Sequence, residues 1–148
     1  LVMNVIVQTA QKYSETKFLL CTKDPSCFHA GVGFPPNVYL GATIETTQNF
    51  SHLTKAPSPI KRFRQLANHP HHQKFISIEP IMDFDLFQLL DWVELLKPEI
   101  IEVGADNYKN NLPEPSSEKV RRLLYHLKRI CPTVIEKDGL ERLKGNER

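Results

Sequence analysis

The sequence has few cysteines and no long apolar stretch. Its 148 residues include three cysteines, Cys21, Cys27 and Cys131, an odd number without the spacing of a metal-binding motif. This pattern argues against a disulfide framework and fits reduced thiols, so we expect a cytoplasmic protein. No apolar run approaches the roughly 20 residues of a membrane-spanning helix, so we expect no membrane partner.

A strong charge of one sign is also lacking. The 19 Lys and Arg residues nearly balance the 17 Asp and Glu residues, which gives a formal net charge of +2. This excess is too small for the electrostatic footprint of a nucleic-acid-binding protein, so we do not expect nucleic acid as a partner. Residues 61–64 still form a basic helix face that could contact phosphate, although an ordinary solvated face is the simpler interpretation.

Five short apolar runs, each ending in a polar or charged residue, form the main pattern of the chain. They occupy residues 18–23, 38–45, 74–79, 99–106 and 133–137. Continuous apolar runs of this length are typical of buried parallel strands, and segments with helical spacing fill most of the gaps. The alternation predicts an α/β fold, a parallel-stranded partial (β/α) barrel of the TIM-barrel type. Five strands cannot close an eight-stranded barrel, so we expect an open sheet, a partial barrel or a sheet completed by another chain.

The remaining segments indicate one domain over residues 1–148. Helical spacing predicts helices over residues 3–14 and 59–68, a helix capped by Asp83 and another capped by Ser116. Residues 46–57 show no period and form the longest predicted loop, which is typical of a lid or a mobile region. The charged tail at residues 140–148 is expected to fray. Since a helix precedes the first strand, we also expect a segment to be missing upstream.

Charged side chains stand where the predicted strands end. The carboxyl ends of parallel strands meet at one edge, so Lys23, Glu45, Glu79, Asp106 and Lys137 are predicted to share a rim, together with Thr22. The two glutamates could support proton transfer, a metal or ribose hydroxyls. Alternatively, they cap helices or pair with the two lysines, because structural ion pairs also occur at such positions.

Three further features of the sequence allow a functional and a structural interpretation. Gly104 could let a ligand approach the backbone near a strand end, or it could only ease packing. Lys137 could hold an anionic group, or it could be an ion-paired residue of a turn. His69, His71 and His72 could bind metal, but they lie on the loop that enters a strand, opposite the rim, and a solvated loop is the favoured interpretation.

The order of these motifs resembles a phage-associated, largely uncharacterised family related to the radical S-adenosylmethionine (radical SAM) superfamily. The resemblance is carried by FLLCTK at residues 18–23, PPNVYLGATIE at 35–45, FISIEP at 75–80, IIEVGAD at 100–106 and Lys137. Members of the superfamily fold as partial α/β barrels, bind a four-iron cluster through a Cys-x3-Cys-x2-Cys loop and cleave S-adenosylmethionine to a radical. The resemblance implies that Glu45 and Glu79 contact cofactor or substrate. It also implies that Gly104 and Asp106 lie beside the adenosine-binding end and that Lys137 closes the rim.

The chain departs from this family in its cysteines. It has no Cys-x3-Cys-x2-Cys motif, and cluster ligation requires thiolates that converge on one cluster. We therefore expect no cofactor and no metal in this chain alone, although S-adenosylmethionine and a 4Fe-4S cluster are possible in a complete enzyme. The family's first two strand-helix units are also missing, which suggests the carboxyl-terminal part of a split, truncated or degenerate enzyme.

Such a fragment needs completion, by a missing amino-terminal half or by a second copy in a homodimer. Two other functions remain open from the sequence. One is a non-enzymatic interaction module that kept the scaffold, and the other is a weak phosphate or nucleic-acid binder that uses residues 61–64. No catalytic residue is predicted, and nothing in the sequence identifies a substrate.

Overall fold

The computed structural model describes residues 2–145 and consists of five strands with helices between them. The elements are α1 (Val2–Lys12), β1 (Phe18–Thr22), a 3-10 turn (Pro25–Cys27), β2 (Val38–Thr43), α2 (Pro59–Ala67), β3 (Lys74–Ile78), α3 (Leu86–Leu96), β4 (Ile100–Val103), α4 (Ser117–Ile130), β5 (Thr133–Glu136) and α5 (Glu141–Lys144). All five predicted strands are present, and each stops one to three residues before its predicted end. The polar residues that close the apolar runs therefore stand just beyond the strands.

The sheet is parallel throughout, with the strands in sequence order from β1 to β5. Each connection moves one position across the sheet in the same direction. Since such connections are right-handed, they place the intervening helices on one face, as in a (β/α) barrel. The predicted α/β fold with a parallel-stranded, partial-barrel sheet is confirmed.

One face of the sheet packs under the helices and forms the main core. Alternate residues of the central strands, such as Leu40, Ile76 and Ile101, are fully buried there. They meet the apolar stripes of the helices, which repeat at positions i, i+3, i+4 and i+7 as the sequence predicted. In α4 this stripe is Val120, Leu123, Leu124 and Leu127.

We call the opposite face the open face. In the register of the sheet it carries Leu19 of β1, Tyr39 and Gly41 of β2, Phe75 and Ser77 of β3, Ile100 and Glu102 of β4, and Ile135 of β5. Tyr39, Phe75 and Ile100 form a small separate cluster. A Cβ atom on Gly41 would lie 2.1 Å from the ring of Phe75, so this glycine makes room for the cluster. Leu19 and Ile135 on the outer strands are exposed.

One prediction about a segment end is wrong. Asp85, not Asp83, caps α3, and its side chain accepts a hydrogen bond from the Gln88 amide at 2.9 Å. Asp83 instead pairs with Lys119, 2.6 Å away. Residues 141–144 of the tail that is predicted to fray form α5, and Leu143 is buried. Residues 146–148 of the predicted tail lie outside the described residues.

Two other predictions can be compared with the structure. The Ser116 side chain caps α4 as predicted and accepts a hydrogen bond from the Lys119 amide at 3.3 Å. In the described part of the chain, no helix has both the length and the apolar character needed to cross a membrane.

Candidate functional site

The predicted rim residues form two groups at the carboxyl end of the sheet. Glu45, just beyond β2, pairs with Lys23, just beyond β1. Glu79, just beyond β3, pairs with Lys137, just beyond β5. We call these four residues the charged rim. The predicted meeting of strand-end charges at one edge is therefore what the structure shows, and in both groups a carboxylate faces a lysine.

In the first group, two cations hold a buried carboxylate. Glu45 Oε1 lies 2.9 Å from Lys23 Nζ, and Glu45 Oε2 lies 2.6 Å from Arg62 Nη1. Arg62 is 1% exposed, and its guanidinium also donates to the Thr43 and Pro57 carbonyls. A buried ion pair is retained only when hydrogen bonds offset the loss of water, and here both carboxylate oxygens are bonded.

Arg62 is the residue of this site that the sequence interpretation missed. It was assigned to an exposed basic face at residues 61–64, and this assignment is wrong because only Lys61 and Arg64 of the three basic residues are exposed. The sequence does contain a signal that Arg62 is buried. Arg62 lies three residues after Pro59, immediately before Phe63 and four residues before Leu66, so it belongs to the buried stripe of α2.

A cavity of about 110 Å³ lies against the first group, beneath the connection between β2 and α2. It is lined by Lys23, Glu45, Thr46, Asn49, Phe50, Ser51, Leu53, Thr54, Ala56, Ser58, Pro59, Arg62, Pro80, Met82 and Leu112. We call residues 46–58 the covering loop. Its place over Glu45 is the one predicted for the long loop. Thr46 fixes one end of it by donating a hydrogen bond to the Asp83 carbonyl.

In the second group, Gly104 makes room for the carboxylate of Glu79. Glu79 Oε2 lies 2.7 Å from Lys137 Nζ, and Glu102 is 4.0 Å from the same ammonium. A Cβ atom on Gly104 would lie 2.6 Å from Glu79 Oε1, too close for a real contact. The hydrogen bond from Lys137 to Glu79 raises the pKa of the Lys137 ammonium. The glycine therefore serves the packing of an ion pair, which is the structural alternative left open by the sequence.

Asp106 lies near the second group, but its carboxylate makes hydrogen bonds within its own loop. It accepts hydrogen bonds from the Tyr108 and Asn110 amides and from the Asn110 side chain, and it is buried. Its backbone carbonyl accepts a bond from Arg142 of α5. Glu79, Asp106 and Lys137 line one groove of about 460 Å³, whereas Glu45 lies in the separate cavity. Asp106 thus shapes a loop of the groove.

The cysteines do not form a cluster site. All three are free, and Cys131 is buried with its thiol directed at the Pro98 carbonyl. Desolvation raises the pKa of the Cys21 and Cys131 thiols, which disfavours the thiolate that a metal needs. Within residues 2–145, no three or more His, Cys, Asp and Glu side chains are grouped to hold a metal ion. These residues therefore do not fit a four-iron cluster.

Two of the three histidines near β3, His69 and His71, make hydrogen bonds within the protein. His69 is buried against Phe28 and Phe34, so the prediction of a solvated loop is wrong for this residue. Its Nδ1 accepts a hydrogen bond from the His71 amide at 3.1 Å, which requires an unprotonated Nδ1. Burial accordingly lowers the pKa of His69. His72 alone of the three is exposed.

Comparisons with known proteins add no relative. No protein-family model, no curated protein and no solved structure matches this chain. The resemblance to the phage-associated family therefore stays a prediction. Function has to be inferred from the charged rim, the cavity and the open face.

Proposed function

We propose that this chain is the carboxyl-terminal part of a radical-SAM-like partial barrel, whose charged rim holds a ligand and whose sheet is completed by further strands. The observation that carries the proposal is the sheet itself. Its five parallel strands run in sequence order, with helices on one face and charged residues at the carboxyl ends. In barrels of this type, ligands bind at that end of the sheet.

The open face supports the completion of the sheet. It presents Leu19 and Ile135 to solvent at its two sides and holds the cluster around Phe75 between them. In a barrel this face is interior, because the sheet curls around it. Within residues 2–145, β1 and β5 each pair with a single strand. Such edges readily accept another strand, either from an amino-terminal half or from a second copy in a homodimer.

The charges of the rim suit a ligand with groups of both signs. The side chains of Lys23 and Lys137 are 42% and 40% exposed, so each ammonium is held by a carboxylate and still reaches solvent. S-adenosylmethionine carries a carboxylate, an ammonium and ribose hydroxyls, which lysines and glutamates can bind. In this proposal Glu79 and Lys137 contact the ligand directly, while Gly104 and Asp106 shape the groove.

The iron-sulfur cluster has no place among residues 2–145, because no three or more His, Cys, Asp and Glu side chains there are grouped to hold a metal, and burial disfavours the thiolates of Cys21 and Cys131. The proposal therefore assigns the cluster ligands to the completing segment or partner and assigns no catalytic residue here. A reducing, cytoplasmic location is part of the proposal, since all three cysteines are free.

A non-enzymatic interaction module is the second candidate. It is favoured by the observation that all four residues of the charged rim already have a partner of opposite charge within the chain. Phosphate or nucleic-acid binding through residues 61–64 has less support, because the buried Arg62 leaves only Lys61 and Arg64 on that surface.

The proposal is tested by identifying the missing part of the protein and studying the two parts together. The coding sequence upstream of residue 1 and the neighbouring genes are read for a Cys-x3-Cys-x2-Cys loop, and the completed protein is reconstituted anaerobically with iron and sulfide. We expect about four irons per completed protein, none on the isolated chain, and self-association of the isolated chain in light scattering. S-adenosylmethionine binding should weaken in Lys137→Met and persist in Lys97→Met, a control at the opposite end of the sheet.

Three outcomes would contradict the proposal. One is a stoichiometric four-iron cluster on the isolated chain, since its cysteines do not converge. Another is a strictly monomeric isolated chain at every concentration, because an uncovered open face should associate. The third is a completed protein with the cysteine loop that fails to bind S-adenosylmethionine.

A further inference from the structure

We propose that the cavity beneath the covering loop binds a small oxyanion, a carboxylate or phosphate group that is free or forms the acidic end of a larger ligand. This inference rests on the proposed ligand-binding role of the rim and names the chemical class bound at its first group. It does not depend on the radical SAM assignment, because it uses only residues around the cavity.

The first observation is the unsatisfied edge of a buried guanidinium. Arg62 lines the cavity and is 1% exposed. Its Nε donates to the Pro57 carbonyl, and its Nη1 donates to the Thr43 carbonyl and to Glu45. Among residues 2–145, no hydrogen-bond acceptor is found for Nη2. Arginine has five N–H donors, and those on Nη2 remain available to an acceptor in the cavity, because Nη2 is not among the fully enclosed polar atoms without a partner.

The second observation is the charge balance of the cavity wall. Lys23 and Arg62 contribute two positive charges, and Glu45 contributes one negative charge, which leaves one positive charge in excess. Both oxygens of Glu45 are already bonded to these cations. The Lys23 side chain is 42% exposed, so this excess acts at a partly solvated site, where it favours an anion over a neutral ligand. Arginine in particular pairs with carboxylate and phosphate through two parallel hydrogen bonds.

The third observation is the amino terminus of α2, which opens onto the same cavity. Ser58 and Pro59 both line it, and the Ser58 side chain makes no capping hydrogen bond. Pro59 has no N–H, so the amides at this end that lack an acceptor within the helix are those of Ile60 and Lys61, and the helix dipole places partial positive charge there. Helix amino termini commonly bind anions for these reasons. Arg62, on the next turn of the same helix, adds a full positive charge.

The size and lining of the cavity set the ligand class. A volume of about 110 Å³ is below the roughly 300 Å³ of the smaller drug-sized ligand sites, so only a small group fits. The lining combines the cations with apolar side chains that include Phe50, Leu53 and Met82. An oxyanion with a short apolar extension matches this combination.

The experiment is a titration of the isolated 148-residue chain, followed by two-dimensional amide NMR at constant ionic strength. The probes are acetate and inorganic phosphate, with acetamide and glycerol as neutral controls. We expect acetate, phosphate or both to shift the amides of the covering loop and of the first turn of α2, with saturation. Neither neutral control should do so.

Variants test the cation contribution. Lys23→Gln removes the exposed cation and leaves the buried pair of Glu45 and Arg62, so the fold should persist. A charge-assisted hydrogen bond lost in this way should weaken anion binding about tenfold. Arg64→Gln removes the same charge from the exposed surface of α2 and should change the affinity less than about twofold. Arg62→Lys retains the positive charge but removes the N–H donors on Nη2, and it should also weaken anion binding.

Some outcomes would overturn the proposal. They are equal shifts with acetate and acetamide, shifts spread over surface lysines, equal losses in Lys23→Gln and Arg64→Gln, or no saturable shift at all. The last result would mean that only water fills the cavity. If the completed protein fails to bind S-adenosylmethionine while acetate still saturates this cavity, the proposed function fails and the oxyanion site stands.

Discussion

The two groups of the charged rim share their chemistry but differ in their surroundings. Each contains a glutamate just beyond one strand and a lysine just beyond another. The Glu45 side chain is 6% exposed and pairs with a second, buried cation, Arg62. The Glu79 side chain is 27% exposed, and its lysine is also near Glu102. The first group is closed beneath the covering loop, and the second borders an open groove.

This difference shows that a charge at a strand end does not by itself reveal its role. The free energy attached to an ion pair depends on how much water surrounds it. We expect the buried pair of the first group to contribute more to the stability of the fold than the partly exposed pair of the second. The following predictions test that contrast.

The largest expected effect on the free energy of unfolding comes from removing the Glu45 carboxylate. Glu45→Gln leaves the buried Arg62 without its carboxylate, and breaking a buried pair in this way costs about 3–5 kcal/mol of the free energy of unfolding. Glu79→Gln breaks a partly exposed pair and should cost less than about 1 kcal/mol. Urea unfolding monitored by circular dichroism measures both values.

A second variant checks the cause. Adding Arg62→Met to Glu45→Gln removes the unpaired buried cation, so the double variant should be more stable than Glu45→Gln alone. If Glu45→Gln and Glu79→Gln cost the same, the contrast between the two groups is wrong.

The next effect concerns the glycine of the second group. Gly104→Ala places a Cβ atom within 2.6 Å of the Glu79 carboxylate and should cost about 1–2 kcal/mol, since the end of the Glu79 side chain can move. In a Glu79→Ser background the same change should cost less than about 0.5 kcal/mol, because the clashing group is gone. A double-mutant cycle measures this coupling. An unchanged cost in both backgrounds would mean that Gly104 is needed for its own backbone geometry and not to make room for Glu79.

The smallest expected effect is a pH dependence of the stability that the second group contributes. The hydrogen bond to Glu79 raises the pKa of Lys137 above its ordinary value, so the folded state holds this proton more tightly than the unfolded state. The resulting stability is fully present below the unfolded pKa, near 10.4, and is lost as the pH rises through the folded pKa. The difference in unfolding free energy between the wild type and Glu79→Gln, at most about 1 kcal/mol, should shrink between pH 9 and pH 12. A difference that grows over this range would reverse the sign of the coupling.

The local elements could be predicted from the sequence because they depend on short-range patterns. The strands followed from continuous apolar runs, and α4 followed from the spacing of its leucines and from Ser116 at its cap. The cap of α3 was misplaced, because Asp83 and Asp85 are both suitable caps and only the contact of Asp83 with Lys119 separates them. The candidate site was predicted as a set of strand-end charges, with pairing to Lys23 and Lys137 as one alternative and without Arg62.

The sequence by itself determined the α/β alternation, the parallel sheet and the edge at which charges gather, because these follow from hydrophobic period and strand polarity. The tertiary structure decided which possible partners pair: Arg62 and Lys23 with Glu45, and Lys137 with Glu79. It also placed Gly104 where it makes room for the Glu79 carboxylate. It also decided that His69 is buried and that Asp106 bonds within its own loop. Burial and pairing depend on residues far apart in the chain, and the strength of a charge interaction depends on the water excluded around it.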